Sequence, residues 1–169
     1  MATIDWSVRA IRDEQDIASA QKLFRDYRDW LNVDVCLKEF DDEVENLPGL
    51  YAPPKGTLLL GFFHGQAVGC AAVRPLGKPL PAGRFRLRAC ELKRLYVAPE
   101  ARGEGIGQGL LRRALRDAHG MRYQAMVLDT YPSRMADAIR LYEQFGFVNS
   151  EPYYENPSPD VRFLFRRLT

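Results

Sequence analysis

Four glycines occupy alternate positions just before a segment with helical periodicity, and this spacing is the feature of the sequence that most directly suggests chemistry. They are Gly103, Gly105, Gly107 and Gly109. A glycine inside a helix costs roughly 0.5–1 kcal/mol relative to alanine, so a glycine-rich first turn needs a compensating role. Unshielded backbone N–H groups at the positive end of a helix can bind an anion. The pattern therefore predicts an anion-binding loop, with a structural turn as the alternative.

The spacing of these glycines does not match either of two common nucleotide-binding loops. A dinucleotide fingerprint, G-x-G-x-x-G, counted from Gly103 or Gly105 would need its last glycine at Gln108 or Leu110. A P-loop needs a lysine followed by serine or threonine, and this loop contains no lysine. The anion therefore need not be a nucleotide phosphate of either kind.

A strand and a helix flank the loop and would hold it in position. The apolar residues from Leu92 to Val97 favour a strand, and Pro99 ends it because proline cannot continue a ladder. Apolar residues then recur at helical spacing after the loop, at Ile106, Leu110, Leu111, Ala114, Leu115 and Ala118. Residues 123–130 form the next predicted strand. The order strand, helix, strand predicts two parallel strands joined by a right-handed crossover.

The rest of the chain also alternates strands and helices, within a length typical of one domain. Further strands are predicted at residues 6–11, 57–63, 67–73, 147–148 and 161–168. Helices are predicted from Asp13, as N-cap, to Leu31, and at residues 37–46 and 133–145, with a loop over residues 74–83. This order of elements predicts an α/β fold.

Two segments together resemble motifs of the GNAT N-acetyltransferase superfamily. Residues 102–107, Arg-Gly-Glu-Gly-Ile-Gly, are similar to its R/Q-x-x-G-x-G/A acyl-CoA pyrophosphate loop, and residues 141–147, Leu-Tyr-Glu-Gln-Phe-Gly-Phe, resemble its L-Y-x-x-x-G-F segment. Two motifs in this order are far more specific than either one alone. The resemblance is strongest over residues 91–154, and over residues 6–73 only the order of elements fits.

The resemblance implies a fold, a donor and a reaction. The fold is a single GNAT domain over residues 4–169, with a mixed, mostly antiparallel central sheet and helices on both faces. The acyl donor is acetyl-CoA, and the residues implied to bind it are Leu95, Val97, Arg102, Gly103, Glu104, Gly105, Ile106 and Gly107. The reaction moves an acetyl group to a primary amine of a small molecule or peptide by direct attack. Direct attack needs neither Cys90 nor Cys36 as a nucleophile.

The resemblance also implies that Glu91 is the general base. An alkylamine with a pKa of about 10.4 is protonated at pH 7, and removing its proton there costs roughly 4–5 kcal/mol. Strand alternation would put Glu91 on the same face as Lys93, Leu95 and Val97. The alternative is that Glu91 only pairs with Lys93 or with a neighbouring arginine such as Arg88.

Tyr142 stands where the superfamily usually has a tyrosine that protonates the leaving thiolate. A thiolate with a pKa of about 8.5 gains only ~2 kcal/mol from protonation at pH 7. A core tyrosine on an amphipathic helix is the alternative. The sequence departs from the family at Met135, where many members have an asparagine that contacts the cofactor, and Ser133 is a candidate to replace that contact.

Composition argues against several other classes of function. A net charge of +2, from 24 basic and 22 acidic residues, gives no electrostatic reason to expect nucleic acid or membrane as partner. Two histidines and no Cys-x-x-Cys give no expectation of a metal site. The three cysteines have no recognisable spacing, which suits a reducing cytoplasm. A homodimer is left open.

No motif identifies the acceptor. We expect its pocket to be built from the first two helices and from the loops near Tyr51, residues 74–83 and Tyr153-Tyr154. Acetylation of protein N-termini or lysines would call for an open groove. A non-catalytic acyl-CoA-binding or regulatory protein on the same fold is the competing class. Residues 84–88 alternate arginine with apolar residues, which predicts a basic face toward an acidic substrate or a solvated edge.

Overall fold

The structure, a computed structural model, describes residues 3–32 and 37–169, which contain nine strands, four α-helices and two short 3-10 helices. The strands are β1 (Trp6–Ala10), β2 (Thr57–Phe63), β3 (Gln66–Pro75), β4 (Leu80–Ala82), β5 (Phe85–Leu87), β6 (Ala89–Val97), β7 (Ala125–Thr130), β8 (Val148–Asn149) and β9 (Arg162–Arg167). The helices are α1 (Glu14–Leu31), α2 (Leu37–Glu45), α3 (Ile106–Gly120) and α4 (Ala136–Gln144). Cys36 lies outside the described residues.

Seven strands form one sheet in the order β1-β2-β3-β6-β7-β9-β8. Its β6–β7 pair is parallel and its other neighbouring pairs are antiparallel. This confirms the mixed, mostly antiparallel sheet and the parallel strands on either side of α3. The structure contains no helix, among the residues it describes, that is long and apolar enough to cross a membrane.

The segment after β3 differs from the expected continuous loop over residues 74–83. β3 runs on to Pro75, and β4 pairs with β5 in a separate two-stranded hairpin. The reason is apolar packing, because Leu80 lies opposite Leu87 and both join a small core cluster. Arg84 and Arg86 are exposed on this hairpin, as expected for a solvated edge.

Helices cover both faces of the large sheet. Asp13 caps α1, as predicted, by accepting a hydrogen bond from the Asp16 backbone N–H at 2.8 Å. α1 and α2 pack on the face that receives Leu58 and Leu60 of β2, whereas α3 packs on the face that receives Leu59. Successive residues of β2 therefore enter two different cores, which explains its continuous apolar run.

Glycines at the contact between α3 and the sheet allow the helix to approach closely. A Cβ placed on Gly61 of β2 would lie 2.6 Å from Cγ2 of Ile106. A Cβ on Gly109 would lie 2.5 Å from Cζ3 of Trp6 in β1. Gly109 is therefore needed for packing. Its alternate spacing with Gly103, Gly105 and Gly107 does not make it part of the predicted anion-binding loop.

β6 contains a bulge at Arg94. Cys70 of β3 pairs with Tyr96, and Ala72 of β3 pairs with Lys93. Two residues of β3 therefore span the same length as three residues of β6. One residue of β6 is thus extra, and Arg94 has a φ of +60°, in the left-handed region that non-glycine residues rarely adopt.

The bulge changes which side chains of β6 share a face. Lys93 lies on the face of Glu91, as expected, and Arg94 lies on that face as well, because both basic residues line the same cleft. Leu95 and Val97 instead pack into the core beneath α3. The expectation that they share the face of Glu91 is wrong, because simple alternation fails after an inserted residue.

We predict that two alanine substitutions in α3 differ in their effect on the free energy of unfolding. Gly109→Ala should lower the free energy of unfolding by about 1–2 kcal/mol, because displacing the Trp6 ring outweighs the gain of ~1 kcal/mol in helix propensity. Gly107→Ala should not lower it, because the nearest atom to the new Cβ lies at an ordinary 3.7 Å. Urea unfolding of both variants measures the difference. Equal stabilisation by the two substitutions would show that Trp6 does not restrict α3.

Candidate active site

β6 and β7 separate after only a short stretch of pairing. Their ladder joins Ala89–Glu91 to Ala125–Val127, although β6 continues to Val97 and β7 to Thr130. The sheet is therefore open between the second halves of these two strands. Backbone N–H and C=O groups along such an opening are available to pair with an extended ligand.

The glycine loop and the start of α3 lie at the far end of this opening. Gly103 and Gly105 have φ of +85° and +93°, so these two positions need glycine. Gly105 is the N-cap of α3 and provides no side chain to bond the first N–H groups of the helix. A Cβ on Gly107 would lie 3.8 Å from Cγ2 of Val97 and 3.7 Å from Cδ2 of Leu141. The helix start thus meets the end of β6 and the side of α4.

The remaining residues of the predicted donor site differ in what they present. Glu104 is exposed, whereas Ile106 is buried in the core and can offer a ligand only its backbone. The Arg102 guanidinium lies over the Trp30 ring, 4.8 Å from its centroid, and its Nε donates a hydrogen bond to the carbonyl oxygen of Val97 at 2.8 Å. Arg102 is therefore held along the end of β6, where the residue remains exposed to solvent.

A cleft of about 1260 Å³ lies on the α1–α2 face of the sheet. It is lined by the segments from which the sequence predicts the acceptor pocket: both helices, the turn at Tyr51, residues 74–78 and the Tyr153-Tyr154 loop. Glu91, Lys93 and Asp129 form part of its lining. These three residues stand on the two strands that separate, so the cleft borders the opening between β6 and β7.

Glu91 is almost fully buried in the wall of this cleft, with 4% of its surface exposed. Its Oε2 accepts a hydrogen bond from the Tyr153 hydroxyl at 2.5 Å, and its Oε1 accepts one from Nε of Arg74 at 2.8 Å. Nη2 of Arg74 also lies 2.8 Å from Oε1, whereas Nζ of Lys93 is 4.0 Å from Oε2. The ion pair of Glu91 is therefore mainly with Arg74 and not with Arg88, and Lys93 takes the expected part only at the longer distance.

Sequence reasoning missed both close partners of Glu91. Arg74 stands directly opposite Glu91 in the β3–β6 pairing, so the register of these strands is the signal that could have revealed it. Tyr153 comes from a loop about sixty residues away in the chain, and no local pattern links it to β6.

Comparison with known proteins identifies the family. The profile of the Acetyltransferase (GNAT) family matches residues 17–147. The chain belongs to the GNAT acetyltransferase family. An uncharacterised N-acetyltransferase of Schizosaccharomyces pombe is 38% identical over 159 residues, which cover 94% of this chain and 92% of the relative.

Solved structures support the same GNAT fold. An acetyltransferase from Streptococcus agalactiae superposes with a TM-score of 0.75 at 20% identity, over 97% of this chain and 99% of that one. The yncA protein of Salmonella typhimurium, solved with its cofactor acetyl-CoA, superposes with a TM-score of 0.65 at 21% identity, over 98% and 95%. Membership of the GNAT family makes this chain an acyltransferase.

Tyr142 is a core residue of this GNAT protein, with 3% of its surface exposed and its ring edge-on to Phe147. Burial raises the pKa of its hydroxyl, and the nearby Tyr27 and Asp129 raise it further. The hydroxyl therefore keeps its proton at physiological pH. The core interpretation is correct for the ring, and the role of the hydroxyl is a separate question.

Met135 has no amide to replace the asparagine that many GNAT members present to the cofactor, and Ser133 already has a hydrogen-bond partner. Met135 is buried, and its sulfur accepts a hydrogen bond from the Thr130 hydroxyl at 3.4 Å. The Ser133 hydroxyl donates a hydrogen bond to Asp160. The contact proposed for Ser133 would require it to exchange that partner.

A second ion pair lies in the wall of the same cleft, and Arg74 links it to the first, because Nη1 of Arg74 lies 4.0 Å from Oε1 of Glu43. Nε of Arg94, on the bulge, donates a hydrogen bond to Glu43 of α2 at 2.9 Å, and the Tyr51 hydroxyl donates another at 2.9 Å. Burial alone would raise the pKa of Glu43, but Arg94 and Tyr51 together hold it below its ordinary value. This pair ties α2 to the bulge of β6.

We predict that Glu43→Gln destabilises the protein at neutral pH by on the order of 3 kcal/mol, because it leaves the Arg94 charge unpaired. Since the pKa of folded Glu43 is lowered, its contribution is complete above the unfolded pKa of about 4.3 and is lost as pH falls below it. Melting temperatures of wild type and variant should therefore converge in acid. Glu39→Gln, at an exposed position of the same helix, is the control and should change little at any pH. A constant difference across the pH range would contradict this account.

Proposed function

We propose that the protein transfers an acetyl group from acetyl-CoA to a primary amine of a small molecule or peptide, by direct attack of the amine on the thioester. The observation that carries the proposal is the buried Glu91 carboxylate at the point where β6 and β7 separate. A base there borders both the opening in the sheet and the large cleft. We further propose a cytoplasmic location, which the cysteine content favours.

The donor fits the opening and the start of α3. The pantetheine chain would pair with the backbone of Leu95 and Val97, where β6 has no β7 partner. The N–H groups of the first turn of α3, after the left-handed Gly103 and Gly105, would bind the pyrophosphate. Arg102 and Glu104 flank this loop, and Ile106 and Gly107 contribute backbone only. The donor would supply the activated acetyl group and a thiolate leaving group.

The acceptor would enter the cleft on the α1–α2 face. The volume of the cleft, about 1260 Å³, exceeds the usual 300–1,000 Å³ of small-molecule sites, so the cleft has room for the end of a peptide as well as for a small amine. Both carboxylate oxygens of Glu91 already accept hydrogen bonds, one from Arg74 and one from Tyr153. The ammonium of the acceptor would therefore reach the carboxylate by displacing the Tyr153 hydroxyl or through a bridging water.

We assign to Tyr142 the stabilisation of the leaving thiolate. Its raised pKa makes complete proton transfer to a thiolate with a pKa of about 8.5 unfavourable. The hydroxyl can instead donate a hydrogen bond as negative charge develops on sulfur. The thiolate would then take its final proton from the amine or from solvent.

For the donor site, we predict that Gly107→Val weakens binding of coenzyme A more than tenfold. The branched side chain would fill the narrow space between the start of α3, Val97 and Leu141, where a single Cβ already makes van der Waals contact. Isothermal titration calorimetry measures the affinity. Gly120→Val at the other end of the helix is the matched control, because nothing lies within 4 Å of a Cβ there. Equal affinity in both variants would remove the loop from the donor site.

For the base, we predict that Glu91→Gln lowers kcat/KM by roughly 10²–10⁴-fold at neutral pH. The loss should shrink as pH approaches the pKa of the amine, because free amine then forms without the base. The measurement is kcat/KM against pH with one accepted amine, chosen from a panel by release of coenzyme A.

Glu39→Gln is the control for this experiment, because it makes the same substitution at an exposed carboxylate that lines the same cleft. Its profile of kcat/KM against pH should coincide with that of wild type. Parallel profiles for Glu91→Gln and wild type would make Glu91 a binding or structural residue. Coenzyme A binding without turnover of any amine would favour the non-catalytic alternative.

A further inference from the structure

Lys93 carries a primary amine inside the proposed acceptor cleft. Its Nζ lies 4.0 Å from Oε2 of Glu91 and 3.9 Å from Oδ1 of Asp129, and 14% of its side chain is exposed. The amine of an external acceptor must also come beside this buried carboxylate, at the border of the opening proposed for the donor. Lys93 therefore already has the position that the acceptor amine must take.

The position of Lys93 on the strands strengthens this parallel. The last paired residues of β6 and β7 are Glu91 and Val127, so Lys93 and Asp129 each stand two residues beyond the ladder. Their side chains approach each other across the first part of the opening. Leu95, proposed to pair with the donor, follows Lys93 across the bulge at Arg94, so the two residues are at most about 7 Å apart along the strand. A lysine side chain can span such a distance.

Lys93 is also held less tightly than the two arginines of the cleft. Arg74 and Arg94 donate hydrogen bonds to carboxylates at 2.8 and 2.9 Å. Both carboxylate contacts of Lys93 are beyond hydrogen-bonding distance. Charge attraction alone therefore keeps its ammonium in place, and its four rotatable side-chain bonds allow it to move.

We propose that Lys93 is an internal acetyl acceptor, so that the enzyme acetylates itself when acetyl-CoA is bound and no other amine is present. The inference rests on the proposed function of the same site. It assigns a modification to a side chain that the transfer to external acceptors does not require.

The step balances with the groups already described. Lys93 gives one proton to Glu91, which passes it to solvent, and the neutral Nζ attacks the thioester carbonyl carbon. A C–N bond forms and the C–S bond breaks. The second proton on nitrogen goes to the leaving thiolate, directly or through solvent, and the products are acetyl-Lys93 and coenzyme A.

Acetylation would change the cleft in a defined way. It removes the positive charge between Glu91 and Asp129 and adds an uncharged group where the acceptor amine must enter. We therefore expect the modified enzyme to turn over external amines more slowly. When acetyl-CoA accumulates and no acceptor is present, the modification would slow later consumption of acetyl-CoA.

The experiment incubates the full chain with acetyl-CoA alone and follows intact mass and peptide maps with time. We expect one acetyl group, on Lys93, at least tenfold faster than on the exposed Lys22 and Lys55, which report the background of chemical acetylation. Lys93→Arg, which keeps the charge, should abolish the fast phase, and Lys55→Arg should not. Glu91→Gln should slow the fast phase at least tenfold, and circular dichroism checks that each variant is folded.

The possible outcomes separate this inference from the proposed function. Acetylation of Lys93 no faster than of Lys22 and Lys55, or unchanged in Gly107→Val, would be chemical and would overturn the inference. Steady turnover of an external amine with no acetyl-Lys93 would overturn it and leave the proposed function intact. Failure to bind coenzyme A and to turn over any amine would overturn both.

Discussion

The separation of β6 from β7 is the constraint on which the rest of the structure depends. A parallel pair usually continues as far as both strands run, but here the ladder stops while each strand goes on. The bulge at Arg94 changes the alternation of side chains in the second half of β6, so that Leu95 and Val97 both enter the core beneath α3. The core beneath α3 packs against both strands beside the opening, through Leu95 of β6 and Leu128 of β7, and this packing stabilises the strands where they do not pair.

The charges around the opening are nearly balanced in pairs. Glu91 pairs with Arg74 and Glu43 with Arg94, and Lys93 lies between two carboxylates. Each of these acidic side chains therefore has a basic partner within 4.0 Å. A cationic acceptor can approach such a surface only by exchanging with a partner already present, which favours specific over general binding of amines.

The sequence predicted the order of the elements, the parallel pair and the loop before α3, because these follow from local patterns of apolar residues, glycine and proline. It assigned one role to four glycines, although Gly109 serves packing against a strand about a hundred residues away. It placed Leu95 and Val97 on the face of Glu91, because an inserted residue in a strand leaves no mark in the sequence. Tyr153 could not be found, because its contact depends on how a distant loop folds back.

Trp6 connects the edge of the sheet to the start of α3. Its ring fills the space beside Gly109 and would lie 3.6 Å from a Cβ on Gly105, so the first strand supports the turn from which the helix begins. Any ligand that requires this turn to be ordered must then favour the paired state of β1 over its frayed state, and thermodynamic reciprocity makes the effect mutual. Hydrogen exchange at the backbone amides of β1 should therefore report ligand binding at the start of α3.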